Sequence, residues 1–236
     1  MSEHPMESGR RKLLLLPALG AALALLGGAV VPTGPARAQS PQLHSHRHRF
    51  RDAERWARVF DDPARDAWQK PDEVIGALGL EADDVVADIG SGTGYFAARL
   101  AAAVPKGRVY GVDLEPDMVD YLAERARREQ LPNLVAIQGS ADDPRLPDPV
   151  DLILLVDTYH HIEDRERYFR KLLPSLAPGG RVAIIDFRME SPVGPPRSAR
   201  IEPQRVIDEL RAAGFRAVQS HDFLPHQYFL VFQPAS

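Results

Sequence analysis

Three short stretches of the chain hold side chains whose types and spacing suit chemistry. In VVADIGSGTGYFAARLA, from Val85 to Ala101, Asp88 stands just ahead of Gly90, Gly92 and Gly94, and ADIGSGTGYFAA contains no basic residue. Glycines let a backbone approach a ligand closely, and a strand end that runs into a helix start builds a crevice at the carboxyl edge of a sheet. In YGVDL, Asp113 is placed at a second strand end, where an acid takes ribose hydroxyls. In LLVDTYHHIED, an apolar run ends in Asp157 and is followed by Tyr159, His160 and His161, which are proton-transfer side chains.

The segments around these stretches alternate regularly. Val85 to Ile89, Arg108 to Leu114, Leu134 to Gln138, VDLILLVD from Val150, and Arg181 to Phe187 read as strands. Tyr95 to Val104, the PDMVDYLAERARREQ segment opened by Pro116, and Arg165 to Leu176, closed by APGG, read as the helices between them. That alternation predicts a parallel sheet with right-handed crossovers. The ending departs from it. After a Pro-rich loop comes the helix PQRVIDELRAAGF, then RAVQSHDFL and YFLVFQ, parted only by Pro225, His226 and Gln227. So short a connection forces these two strands to pair antiparallel. Ahead of the sheet, Asp52 to Leu80 reads as helical, with Trp56, Val59 and Phe60 on a packing face and Trp68 and Gln69 positioned to cover a ligand.

The glycine loop satisfies two nucleotide patterns, since GTGYFA also matches the dinucleotide form G-x-G-x-x-G/A. Asp88 favours a cationic ligand over a pyrophosphate. No basic residue is there to meet a pyrophosphate, which also counts against a dinucleotide, though backbone N–H groups can hold one alone. The terminal antiparallel hairpin is foreign to an all-parallel dinucleotide sheet.

VADIGSGTGYFAARLA, GVDLEPDMV, LLVDTYHHIED and LAPGGRVAIIDF, in that order, resemble the successive motifs of class I S-adenosylmethionine-dependent methyltransferases. Within them the chain is most similar to the group that includes the ubiquinone- and menaquinone-biosynthesis methyltransferases. The resemblance runs from about Asp84 to the C-terminus. It implies an α/β fold: a Rossmann-like, seven-stranded mixed sheet with helices on both faces and its last strand antiparallel. It implies S-adenosylmethionine as cofactor, with Asp88, Gly90, Gly92 and Gly94 under the methionine moiety and Asp113 on the ribose. Leu114 and Met118 would pack on adenine, Ala141 and Asp142 would meet its edge, and Asp157 would lie beside the methyl donor. The family often has Asp where this chain has Ser140.

Tyr159, His160 and His161 are the catalytic candidates, with Phe187, the 188–203 loop and Tyr228 as further walls of the acceptor site. His161 equally suits packing on the following turn. Asp157, His160 and His161 resemble the E-x-x-E-H metal arrangement of some quinone O-methyltransferases, but a His replaces one acid, and no metal is expected. A non-catalytic binding protein of the same fold is the alternative, and an NAD-dependent oxidoreductase a weaker one. Quinone precursors, other lipids, small amines and metalloids all stay open as acceptors.

Composition bounds the partners. The net charge of −4 argues against a nucleic-acid surface spread over the domain, and the absence of cysteine excludes disulfides and cysteine nucleophiles. Arg10, Arg11 and Lys12 precede LLLLPALGAALALLGGAVV and the A-x-A site Ala36-Arg37-Ala38, the signature of a secretory signal. The basic pair also fits twin-arginine export. The chain divides into a signal peptide or membrane anchor (1–38), a polar His-rich linker (39–51), a helical cap (52–83) and the cofactor-binding domain (84–236). The expectation is a periplasmic domain, cleaved or held at the inner membrane, acting on a small-molecule or lipid-like acceptor. His44, His46 and His48 read as solvated linker residues.

Overall fold

The computed structural model describes residues 52–235; the leader and linker readings lie outside the described residues. A short cap comes first: α1 (Ala53–Phe60), a 3-10 turn (Pro63–Arg65), α2 (Asp66–Gln69) and α3 (Pro71–Leu78). The sheet strands are β1 (Val85–Ile89), β2 (Arg108–Asp113), β3 (Leu134–Gln138), β4 (Val150–Val156), β5 (Leu176–Phe187), β6 (Phe215–His221) and β7 (Gln227–Pro234). Between them lie α4 (Ala97–Ala103), α5 (Pro116–Arg128), α6 (Arg165–Leu172) and α7 (Pro203–Ala212).

The seven strands run in the order β3-β2-β1-β4-β5-β7-β6. The first five are parallel, and β7 is antiparallel to both β5 and β6. This is the Rossmann-like mixed sheet expected, with the chain reversal in the terminal hairpin.

Side chains alternate faces along each strand, so a strand buried on both sides feeds two cores. In β4, Leu152, Leu154 and Val156 join one core with Leu78, Leu100 and Leu122 from the helices on that side. Ile153 and Leu155 join the other with Phe169, Leu172, Val206 and Leu210. Each fully buried Leu or Ile contributes about 1.5–3 kcal/mol before chain entropy is counted. Both layers press on the centre of the sheet, and its carboxyl edge is left as the rim where loops meet.

Three local features depart from the sequence pattern. α6 stops at Leu172, four residues earlier than the pattern suggests, because Pro174 diverts the chain into a 3-10 turn. β5 already pairs at Leu176, and the APGG passage forms an irregularity in which Val150 faces Leu176 but Leu152 faces Arg181. Val59, expected on the packed face of α1, is 58% exposed. Among the described residues, no helix is long and apolar enough to cross a membrane.

Candidate active site

β1 ends at Ile89 and turns at once through Gly90, Gly92 and Gly94, all at positive φ (77°, 53° and 91°). Gly90 is required twice. Its left-handed backbone strains any L side chain, and a Cβ there would collide with Thr158 at the end of β4. Gly94 is constrained in the same way by Leu122 of α5. The loop therefore lies tight between two strand ends and a helix. Its polar atoms are unusual. Asp88 Oδ2, Ser91 Oγ and Thr93 Oγ1 are all buried without a hydrogen-bond partner, and among the described residues only two other buried side-chain atoms share that state. Buried polar groups are normally satisfied, so a cluster of orphans marks a surface built for something else.

Burial and the neighbouring Asp113 push the Asp88 carboxyl up to about 7, outweighing the Ala97 backbone bond and the charge of Arg65. Asp113 accepts from the backbone N–H groups of Gly92 (2.9 Å) and Glu115 (3.0 Å). Those bonds fix the carboxylate at the end of β2 and leave it lone pairs for hydroxyl donors. Next to it Leu114 is 53% exposed, a bare apolar side chain on the rim, while Met118 points into the core. Ala141 is exposed, and Asp142 is held by Lys171 (2.9 Å) and Ser140 (3.2 Å).

Across the rim, β4 is followed at once by Asp157, a non-glycine residue at φ 54°. Such a backbone is costly and persists where surroundings enforce it, often at functional sites. Here its N–H donates to the Ile185 carbonyl at 2.9 Å, and its carboxylate accepts from Gln227 and from Arg65 Nη2 (3.2 Å). Burial still raises Asp157 to about 7, against the opposing charge of Arg65.

A 3-10 turn, Tyr159–His161, follows. His160 is drawn onto Asp186 of β5: Nδ1 lies 2.9 Å from both carboxylate oxygens, and the His160 backbone N–H donates to Oδ2 at 3.1 Å. Asp186 is 1% exposed and also takes the Phe187 N–H at 2.7 Å. Burial works to lower the imidazole, but the hydrogen bond and charge of Asp186 prevail, helped by Asp157, and His160 titrates above its ordinary value. This is a carboxylate-oriented base, with Nδ1–H assigned to Asp186 and Nε2 as the basic nitrogen.

The neighbours of His160 separate. His161 is exposed, its ring 4.1 Å from that of His160. Tyr159 turns the other way: it is fully buried and donates to Glu209 of α7 at 2.6 Å. That commits its hydroxyl to the interior, so the catalytic expectation for Tyr159 gives way to a structural role. Tyr228 of β7 is 2% exposed with a partnerless hydroxyl, and pairs across the sheet with Asp186.

The cap supplies Arg65, which sequence reading missed, beside Trp68 and Gln69, which it expected over a ligand. Arg65 reaches Asp157, and Gln69, fully buried, donates to Gln227 at 2.7 Å. Trp68 lies against Phe187 and His226, with ring centroids 6.0 and 6.1 Å away. Beyond Phe187 a single side chain organises the 188–200 loop. Arg200 donates to the carbonyls of Arg188, Met189, Ser191, Val193 and Pro195 at 2.6–3.1 Å. Asp186 was also missed, hidden in the apolar run AIIDF. No group of three or more His, Asp or Glu side chains among the described residues is arranged to hold a metal ion.

Known proteins align with this geometry. Residues 86–180 match the family described as a methyltransferase domain. The chain is similar to 27-O-demethylrifamycin SV methyltransferase of Amycolatopsis mediterranei, at 34% identity over 52% of this chain and 46% of that protein. It is 32% identical to erythromycin 3''-O-methyltransferase of Saccharopolyspora erythraea, over 56% of this chain and 45% of that one. The chain thus spans a little under half the length of these curated relatives. A solved S-adenosylmethionine-dependent methyltransferase from Aquifex aeolicus superposes with a TM-score of 0.71 and 26% identity, over 77% of this chain and 97% of that one. Residues 86–180 thus match a methyltransferase domain, and the architecture around them is similar to that of a solved S-adenosylmethionine-dependent methyltransferase.

Proposed function

Starting from a methyltransferase domain that uses S-adenosylmethionine, we propose that the chain methylates a hydroxyl oxygen of a small-molecule acceptor, with His160 as general base. The observation that carries this reading is the His160–Asp186 pair on the rim that also holds the glycine loop. A hydroxyl acceptor is the kind that needs a base, and two relatives are named as methyltransferases of oxygen on small molecules.

The residues fit the donor. The orphaned oxygen of Asp88 offers an acceptor for an ammonium, the Asp113 carboxylate offers lone pairs for ribose, and exposed Leu114 offers an apolar face for a base. When bound, the donor supplies a methyl group already activated by its sulfonium charge. The chain then has two tasks: to align the acceptor and to take up its proton. Asp186 holds the imidazole of His160 in one tautomer and steadies the charge it gains. Trp68 and Phe187, with the loop tied by Arg200, wall the acceptor side and limit water.

The test is single-turnover methylation of a panel of hydroxylated small molecules with labelled donor, by wild type and His160→Ala. The reading predicts methyl ethers from the wild type only. Transfer to nitrogen or carbon acceptors that survives loss of His160 would overturn it. We further propose, from Arg10–Lys12, the apolar run and Ala36-Arg37-Ala38, that the domain works outside the cytoplasm, membrane-held if the apolar segment is retained. A C-terminal reporter active only in the cytoplasm would refute that placement.

A further inference from the structure

We infer that Arg65 receives the carboxylate of the donor's methionine portion, releasing Asp157 as it does so; this rests on the donor reading above. The rim is ringed by the acids Asp88, Asp113, Asp157 and Asp186, a setting that suits the sulfonium and ammonium of S-adenosylmethionine but repels its carboxylate. Among the described residues, Arg65 is the guanidinium whose charge acts on both Asp88 and Asp157.

Its placement suits the task. The guanidinium stacks on Tyr95, the residue after Gly94 in the loop, 4.3 Å from the ring centroid. Arg99 lies 4.2 Å from the same ring, and Asp66 ties the Tyr95 hydroxyl and Arg99 (3.2 Å) together. Arg65 is therefore pinned to the loop that would cradle the methionine moiety, although it belongs to the cap. One edge of the guanidinium is fixed, with Nε (3.1 Å) and Nη2 (3.0 Å) both donating to Gln69 Oε1. Nη1 donates to the Phe60 carbonyl at 3.0 Å and has a second N–H to give. The bond to Asp157, at 3.2 Å, is the exchangeable one. Turning the free end of the fork from Asp157 to an incoming carboxylate would keep a charge-assisted pair while leaving Asp157 for a cation. The cap would then sense the amino-acid tail of the donor.

Decarboxylated S-adenosylmethionine keeps both cations and lacks only the carboxylate, so it isolates this contact. Calorimetry on the full chain should show the wild type binding S-adenosylmethionine at least about tenfold tighter than the decarboxylated form. In Arg65→Ala that preference should shrink to about threefold or less, with Arg65→Lys in between. Hydrogen exchange at residues 63–69 should slow more with S-adenosylmethionine than with the decarboxylated ligand. Equal wild-type affinities, a preference that survives in Arg65→Ala, or equal loss of both ligands in that variant would overturn the inference. A wild type that binds neither ligand would instead overturn the donor reading, and this inference with it.

Discussion

Two sets of wholly or partly buried carboxylates in this molecule behave oppositely. Glu209, under the sheet on α7, accepts from the Tyr159 hydroxyl, from Arg165 at 2.6 and 3.0 Å and from Arg205 at 2.8 Å. Burial works against its charge, yet those partners hold it at about 2. On the rim, Asp88 keeps an oxygen without any donor, Asp157 has Arg65 and Gln227, and burial drives both to about 7. The supply of donors separates the sets. Where the fold needs an anion it satisfies it; where a cationic ligand is to come, it leaves the anion short and less stable.

The largest expected effect tests the rim through its base. His160→Ala should lower kcat about 10²–10⁴-fold while donor affinity, measured by calorimetry, stays near wild type. A loss confined to donor binding would mean His160 only shapes the pocket. Next, Glu209→Ala should cost about 3 kcal/mol in urea unfolding, because Arg165 and the Tyr159 hydroxyl are left buried without their partner. Its donor affinity should not change, and a matching fall in affinity would erase the distinction between the two sets.

Asp88→Asn should do the reverse. Donor affinity should fall about 10–100-fold, the range for a lost charged hydrogen bond. The unliganded variant should melt higher than wild type at pH 8 and by much less at pH 4. The sign follows from linkage: a carboxyl raised from 3.8 to about 7 gives stability below 3.8 that is lost as pH rises through 7, and Asn has no such loss. Glu209 runs the other way, stabilising above 4.5 and failing as pH falls toward 2. The same offset in melting temperature at both pH values would argue against a strained Asp88. The smallest effect concerns Asp186→Asn. Removing that charge lowers the pKa of His160, so the acid limb of kcat should move to lower pH as the plateau falls. An unmoved limb would detach the base from Asp186.

What could be read beforehand divides by sequence distance. Strands and their order of use were legible, since apolar runs ended by glycine or acid announce themselves locally. Asp88, Asp113, Asp157 and His160 were found because each sits at such an end. Asp186 was not, since its partner is 26 residues away and its own strand reads as plain core. Arg65 looked like one more basic residue in a helical stretch, and only the fold brings it to Asp157, 92 residues on. Tyr159 and His160 were indistinguishable as neighbours, because a single step around a 3-10 turn sends one into the core and the other to the rim.

The bond between Gln69 and Gln227 spans 158 positions, and Gln227 in turn holds Asp157. Contacts so remote along the chain carry a large loop-closure entropy, which nearer contacts reduce once they have formed. A chain made from its N-terminus can complete the glycine loop and still lack the strand that steadies the far wall. The wall around Asp157 therefore depends on a strand at the far end of the chain, so damage to that strand should reach the rim before it reaches the glycine loop.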